Sequence, residues 1–218
     1  MDVDAIIRGI SIWGLPVLFA VILHEVAHGW VADRLGDNTA RFMGRLTLNP
    51  FKHIDPIGTI LVPLLLVISN APFLFGYAKP VPVDARKLNH PKKDMVWVAL
   101  AGPLMNVVLA IASMLMLAAA LMLPHSWMWF TQPLVLMCQA SIMINLVLFV
   151  FNLIPIPPLD GGRIAVGLLP GPLAWQLSRI EPFGFLIIVT LLFFGAFQVT
   201  IGPLVMGLSE MMITWAIR

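Results

Sequence analysis

Long apolar runs, separated by short polar and basic segments, dominate the chain. A run of about 20 apolar residues is long enough to cross the hydrocarbon core of a bilayer as a helix. Such runs predict four spans, at 10–32, 95–123, 134–154 and 183–208. The pattern therefore predicts an all-α polytopic membrane protein with about four transmembrane helices.

A further apolar stretch, residues 57–75, is interrupted by Pro63 and by a Ser-Asn-Ala-Pro sequence. In the following residues, 76–83, prolines alternate with other residues, which favours extended chain or an edge strand over a helix. We therefore expect a re-entrant or β-hairpin-like element over 57–83 rather than a fifth span. Non-helical backbone at membrane depth is tolerated where protein or water covers it, so such an element suits the lining of a cavity.

The distribution of basic residues supports the re-entrant interpretation. Segments 33–56, 76–94 and 155–182 hold 11 of the 13 Lys and Arg residues, and a re-entrant 57–75 places all three on one face. A full crossing would separate the two most basic segments, against the tendency of basic loops to stay in the cytoplasm. We expect a multi-pass protein of the cell membrane, with both termini outside and the motif-bearing face toward the cytoplasm.

The composition narrows the class of protein and its partners. Hydrophobic residues make up 60% of the chain and charged residues 11%, whereas soluble domains are about 25% charged. The net charge of +2 is modest, so we expect contact with the lipid bilayer and none with nucleic acid. A single domain is expected over 1–218, with its core motifs in 10–165 and an interfacial helix and final span in 163–218.

The first span contains the sequence His24-Glu25-Val26-Ala27-His28, and Glu25 is the only acidic residue in 10–32. Histidines at i and i+4 share one face of a helix and can bind one zinc ion. The glutamate between them can act as general base on a metal-bound water. The alternatives are a chance match and a pair of core histidines bonded to backbone. An ionisable residue at membrane depth favours the functional interpretation.

Two other positions are candidates for the same chemistry. Asp160 follows a proline-rich break and precedes two glycines, a sequence that could turn its carboxylate back toward the helices as a third ligand. The residues alone leave open that Asp160 caps the next helix instead. His53, near Asp55, is either a supplementary metal-site residue or a solvated partner of that aspartate.

Three motifs lie on separate apolar segments: H-E-x-x-H at 24–28, G-P-x-x-N at 102–106, and N-L-I-P at 152–155 running into L-D-G-G at 159–162. In this combination and order the chain resembles the site-2 protease family of intramembrane zinc metalloproteases (peptidase family M50). The resemblance covers about residues 10–165 and is to the compact prokaryotic branch without PDZ or CBS domains.

The resemblance implies roles for the motif residues. His24, His28 and Asp160 would ligate one Zn²⁺ ion per chain, and Glu25 would activate the zinc-bound water. Asn106 would face the catalytic cavity and support the substrate backbone or the oxyanion, with Asn152 a weaker candidate for similar support.

The same resemblance implies an intramembrane zinc endopeptidase. Its substrates would be transmembrane segments of other proteins or leftover signal peptides, paired in an unwound form with segment 76–83. The main alternative is a non-catalytic metal-binding or scaffold relative of the same family. A metal transporter and a peptidase acting on soluble peptides are weaker alternatives, because only one span bears paired ligands and the motif lies deep in that span.

Overall fold

The computed structural model describes residues 3–69 and 76–218. The helices in these ranges are α1 Val3–Arg34, α2 Thr39–Phe42, α3 Val62–Ile68, α4 Pro91–Leu121, α5 Met128–Asn152, α6 Asp160–Leu168, α7 Gly171–Ser178, α8 Glu181–Phe193 and α9 Ala196–Ile217. Within the described residues, four helices are long and apolar enough to cross a membrane: α1, α4, α5 with the turn before it, and α9. The predicted all-α polytopic fold is confirmed.

Helix α4 lies at the centre of the bundle and packs against α1, α5, α6 and α9. A buried apolar cluster joins α4, α5 and α9, and consists of Ala110, Leu117, Cys138, Ile142, Leu146 and Val205. Other apolar side chains of α4, such as Ile111 and Leu115, are exposed. Lipid is as apolar as leucine, so these faces suit a bilayer, and helix association there depends on close packing.

The last apolar run differs from its predicted bounds. We predicted one span over 183–208, but the helix breaks at Gly195, whose backbone φ of +72° lies in the left-handed region. Helix α8 ends before this glycine, and the last span is α9, at 196–217. A left-handed glycine commonly ends a helix. Hydropathy continues across such a break, which is why the apolar pattern alone misplaced the span.

The polar region after α5 forms two short helices where one interfacial helix was predicted in 163–182. Helix α6 begins at Asp160 and α7 at Gly171. A 62° bend separates α7 from α8. Helix α6 packs on α4 and α7 packs on α6, so this region lies against the bundle.

The two ends of the 57–83 element lie close together in the structure. Residues 56–61 form a π-helical turn that leads into α3. Residues 70–75, with the predicted Asn-Ala-Pro interruption, lie outside the described residues. The Tyr77 N–H donates to the Gly58 carbonyl at 3.0 Å and the Lys79 N–H to the His53 carbonyl at 2.9 Å. This return is what a re-entrant element requires.

Residues 76–84 are extended, and no β-ladder forms there within the described part of the chain. The element is therefore helix and extended chain rather than a β-hairpin. Pro80 and Pro82 lack the N–H groups that a ladder needs. We call residues 76–84 the extended segment.

The three basic segments meet on one face of the molecule. The Asn89 N–H donates to the Leu35 carbonyl, and the Asp84 N–H donates to Asp37 Oδ2 at 2.6 Å. Lys92 lies in the first turn of α4, and its Nζ donates to the Leu169 carbonyl. This contact joins the second basic segment, 76–94, to the third, 155–182. The side-by-side arrangement expected from the charge pattern is present in the structure.

Candidate metal centre

The two histidines of α1 lie one turn apart and are buried in the bundle. His24 Nε2 and His28 Nε2 are 3.0 Å apart. The other ring nitrogen of His28, Nδ1, lies 2.7 Å from the Val98 carbonyl oxygen on α4. Because a carbonyl oxygen only accepts hydrogen bonds, neutral His28 carries its proton on Nδ1 and keeps a lone pair on Nε2.

Asn106 selects the same tautomer for His24. Its Oδ1 lies 2.6 Å from His24 Nδ1. Its Nδ2 donates to the Ala20 carbonyl at 3.3 Å and to Asn145 Oδ1 at 2.9 Å. Since Nδ2 is the donor of this amide, Oδ1 is the acceptor and His24 Nδ1 holds the proton. In their neutral forms, both histidines therefore turn the lone pair of Nε2 toward the same point.

Asp160 brings a carboxylate to that point. Its Oδ2 lies 3.2 Å from His24 Nε2 and 3.3 Å from His28 Nε2. The N-cap position of α6 is occupied by Leu159, not by Asp160. The capping alternative is therefore not the arrangement that the structure has, and the carboxylate faces the helices instead.

These three groups fit a bound cation. Asp160 Oδ2 is buried without a hydrogen-bond partner among the described residues, a rare condition for a polar atom. Two unprotonated nitrogens and a carboxylate oxygen at this separation repel one another unless a positive charge lies between them. Two imidazoles and one carboxylate are also a known donor set of catalytic zinc, which keeps a fourth position open.

Gly102 makes room for the two imidazoles. It lies on α4 opposite the histidines, and a Cβ built there would overlap the rings of both His28 and His24. Because the glycine of the G-P-x-x-N motif has no side chain, α4 can lie directly against the rings of His24 and His28. Gly161 and Gly162 serve a similar purpose after α5, since a Cβ on either would overlap backbone of residues 153–157.

Glu25 lies beside the histidines on α1 and contacts the extended segment. Its Oε2 accepts a hydrogen bond from the Val81 N–H at 2.8 Å. The side chain of Val81 is buried against Gly29, where a Cβ would come within 2.6 Å of Val81 Cγ1. The glycine after the second histidine therefore allows the extended segment to lie directly on the motif helix.

Other groups hold the extended segment from the opposite side. The buried guanidinium of Arg45 donates from Nη2 to the Lys79 carbonyl at 2.8 Å and to the Pro80 carbonyl at 3.3 Å. His53 is buried and its Nε2 lies 2.9 Å from the Thr47 carbonyl. His53 is thus not the solvated partner of Asp55 that one interpretation expected, and its described contacts are to backbone.

The remaining predicted site residues separate into two groups. Asn106 contacts His24 directly, so the structure places it beside the ligand cluster, and its support of an oxyanion stays a prediction. Asn152 donates to the Leu148 carbonyl of its own helix at 3.0 Å and is not part of the cluster described above. Sequence reasoning missed Asn145, although an amide at mid-span is itself a signal of function.

Comparison with known proteins gives consistent results. The profile described as "Peptidase family M50" matches residues 14–132 and 117–194. A Bacillus subtilis (strain 168) protein named "Putative zinc metalloprotease YwhC" is 39% identical over 182 residues, which cover 81% of this chain and 78% of that protein. No solved structure gives a significant match to the chain.

A second relative comes from Mycolicibacterium smegmatis (strain ATCC 700084 / mc(2)155) and is named "Putative zinc metalloprotease Rip2". It is 32% identical over 176 residues, which cover 80% of this chain and 64% of the relative's own length. The matched regions include the histidine motif, the glycine that clears the rings and Asp160. With four apolar spans around a candidate metal centre, the chain is a multi-pass membrane protein that belongs to peptidase family M50.

Proposed function

We propose that the protein is a zinc endopeptidase that hydrolyses peptide bonds within or near the transmembrane segments of other membrane proteins. One observation supports this most strongly. His24 Nε2, His28 Nε2 and Asp160 Oδ2 converge as unprotonated, buried acceptors, next to a glutamate that is not part of their cluster. A site that only stored metal would have no need of that additional carboxylate.

In the proposed hydrolysis, the zinc ion and the side chains of the protein would have different tasks. His24, His28 and Asp160 would hold a zinc ion, which would supply Lewis acidity toward water and a peptide carbonyl. Glu25 takes the proton from the attacking water and later gives it to the leaving amine. Asn106 and the Val98 carbonyl keep the two imidazoles in the tautomer that leaves Nε2 free for metal.

The extended segment supports the choice of substrate. Helical amides are closed to attack because their hydrogen bonds are made within the helix, so a transmembrane substrate must unwind before cleavage. The extended segment lies beside Glu25 and is the proposed docking surface for an unwound peptide. Because Pro80 and Pro82 lack N–H groups and the Val81 N–H already donates to Glu25, backbone pairing with the peptide would be only partial. Transmembrane segments and leftover signal peptides are the proposed substrates. The basic face supports an orientation with the site toward the cytoplasm.

The test is cleavage of single-span substrates in liposomes by the wild-type protein and by Glu25→Gln. General-base catalysis contributes roughly 10²- to 10⁴-fold, so kcat for Glu25→Gln is expected to fall by that factor. Zinc content should stay near one per chain because Glu25 is not a ligand. A chelator should abolish cleavage by the wild type, and added zinc should restore it.

Glu210→Gln is the matched control, since Glu210 is an exposed glutamate on α9. Its kcat and zinc content are expected to equal those of the wild type. Cleavage by Glu25→Gln at the wild-type rate would contradict the proposed mechanism. Zinc binding without cleavage of any substrate in the set would favour the non-catalytic metal-binding relative instead.

A further inference from the structure

A buried chain of polar side chains leads from His24 into the interface between α4 and α5. Asn106 donates to Asn145 Oδ1 at 2.9 Å, and Asn145 Nδ2 donates to the Ser141 carbonyl at 2.8 Å. At the far end, Ser113 Oγ lies 2.7 Å from Ser141 Oγ. Asn106 is fully buried and Asn145 is 1% exposed, so water does not compete for these hydrogen bonds.

The orientation of the Asn106 amide decides where the proton of His24 lies. An amide can turn by 180°, which exchanges its oxygen with its NH₂ group. In the turned form the NH₂ would face His24 Nδ1, so the ring would move its proton to Nε2 to leave an acceptor at Nδ1. That tautomer presents an N–H where a metal ligand needs a lone pair.

Asn145 supplies an acceptor that holds Asn106 in the productive orientation. Its own orientation is fixed, because Nδ2 donates to the Ser141 carbonyl, a group that can only accept. Oδ1 of Asn145 must then face Asn106 and accept from its Nδ2. Two backbone carbonyls thus set the direction of donation: that of Ser141, which acts through Asn145, and that of Ala20, which accepts from Asn106 Nδ2 at the longer distance of 3.3 Å. The shorter contact, at 2.9 Å, is the one that Asn145 provides.

We infer that Asn145 is a positioning residue for the metal centre, acting through Asn106 to keep His24 in the tautomer with a free Nε2. The inference rests on the proposed zinc site, but not on proteolysis. Asn145 touches neither the ligands nor a substrate. A plain structural role, as a polar clamp between two membrane helices, would make the same hydrogen bonds without affecting metal binding.

Three variants separate these roles. Asn145→Leu keeps the approximate size and removes the acceptor for Asn106. Asn145→Asp, protonated at this depth, keeps a carbonyl oxygen for Asn106 and an O–H for the Ser141 carbonyl. Ser113→Ala removes one hydrogen bond from the far end of the same series of buried polar side chains. It is the control for a purely structural role of these hydrogen bonds.

The first measurement is zinc affinity in detergent, by competition with a chromogenic chelator. Because mutation of groups that orient ligands typically weakens metal binding by about 10- to 100-fold, we expect about tenfold weaker zinc binding for Asn145→Leu. Asn145→Asp and Ser113→Ala should bind zinc as the wild type does. Equal affinity in Asn145→Leu and wild type, or equal losses in Asn145→Leu and Ser113→Ala, would overturn the inference.

The second measurement reads the tautomer directly. Long-range ¹⁵N–¹H spectra of metal-free protein with ¹⁵N-labelled histidine distinguish Nδ1–H from Nε2–H rings. In Asn145→Leu, the signal of one histidine should shift toward the Nε2–H tautomer. In Asn145→Asp, no histidine signal should shift in this way. An unchanged tautomer pattern in Asn145→Leu would overturn the inference even if the protein were less stable, and neither readout requires a cleaved substrate.

Discussion

Gly102 on α4 faces the rings of His24 and His28 closely enough that a Cβ there would overlap both. Its position explains why a motif on a different helix accompanies the histidines. An imidazole pair with both Nδ1 atoms bonded to α4 has little freedom to move away from an added methyl group. The absence of a side chain at this one residue therefore permits the geometry of two candidate ligands that lie more than 70 positions earlier in the chain.

We predict that Gly102→Ala lowers kcat/KM by about 10²-fold, because displacement of reacting groups by about 1 Å has that effect. Zinc affinity should fall in parallel, measured by competition with a chelator. Gly207→Ala on α9 is the control, since a Cβ there meets nothing within 4 Å. That variant should be neutral or slightly stabilised, as alanine favours helix over glycine. Wild-type affinity in Gly102→Ala would contradict the packing argument.

At the level of single residues, the sequence predicts the candidates that depend on local spacing. His24 and His28 follow from i,i+4 geometry, and Glu25 from its position between them. Asp160 remained ambiguous because sequence does not show which way a carboxylate points after a proline-rich break. Asn145 was missed because its importance depends on an amide of another helix, a contact that no local pattern encodes.

One buried side chain of the preceding loop contacts the extended segment at two successive residues. Arg45 donates to two successive carbonyls of that segment from a buried position. Prolines at 80 and 82 remove N–H donors, so the segment has few backbone hydrogen bonds of its own. Its placement beside Glu25 thus relies on these contacts from the preceding loop together with the contacts of Val81 to Glu25 and Gly29 on α1.

We predict that Arg45→Gln loosens the extended segment. Hydrogen bonds to charged groups contribute about 1.5–3 kcal/mol each, so amide exchange at Lys79 and Val81 should accelerate on the order of tenfold to a hundredfold. Hydrogen–deuterium exchange with mass spectrometry of peptides covering 76–84 measures this. Lys52→Gln, at an exposed position of the same loop, should leave exchange unchanged. Unaltered exchange in Arg45→Gln would show that other contacts suffice.

At the level of elements, apolar length predicted the spans well and their ends poorly. The existence of four spans follows from hydropathy, which reports burial in lipid. The break at Gly195 depends on one left-handed backbone angle and leaves the apolar pattern intact. The extended character of 76–83 was predictable because proline acts locally, whereas its docking on α1 depends on Gly29 and Arg45.

The whole molecule gathers its basic segments on one face, and this predicts its orientation. Arg86→Cys lies on that face and Ser126→Cys in the exposed turn between α4 and α5. In intact cells, a membrane-impermeant maleimide should label the second variant and not the first. Wild type is the background control, since its one cysteine, Cys138, is buried. Labelling of Arg86→Cys alone would reverse the topology.

The candidate ligands are far apart in the order of synthesis. His24 and His28 belong to the first span, whereas Asp160 is made 132 residues after His28. At about 5–20 residues per second, a ribosome needs roughly 7–26 s to cover that distance. During this interval the nascent chain holds His24, Glu25 and His28 without Asp160. Because the candidate metal centre draws its groups from both halves of the chain, it cannot be complete until the second half has been made.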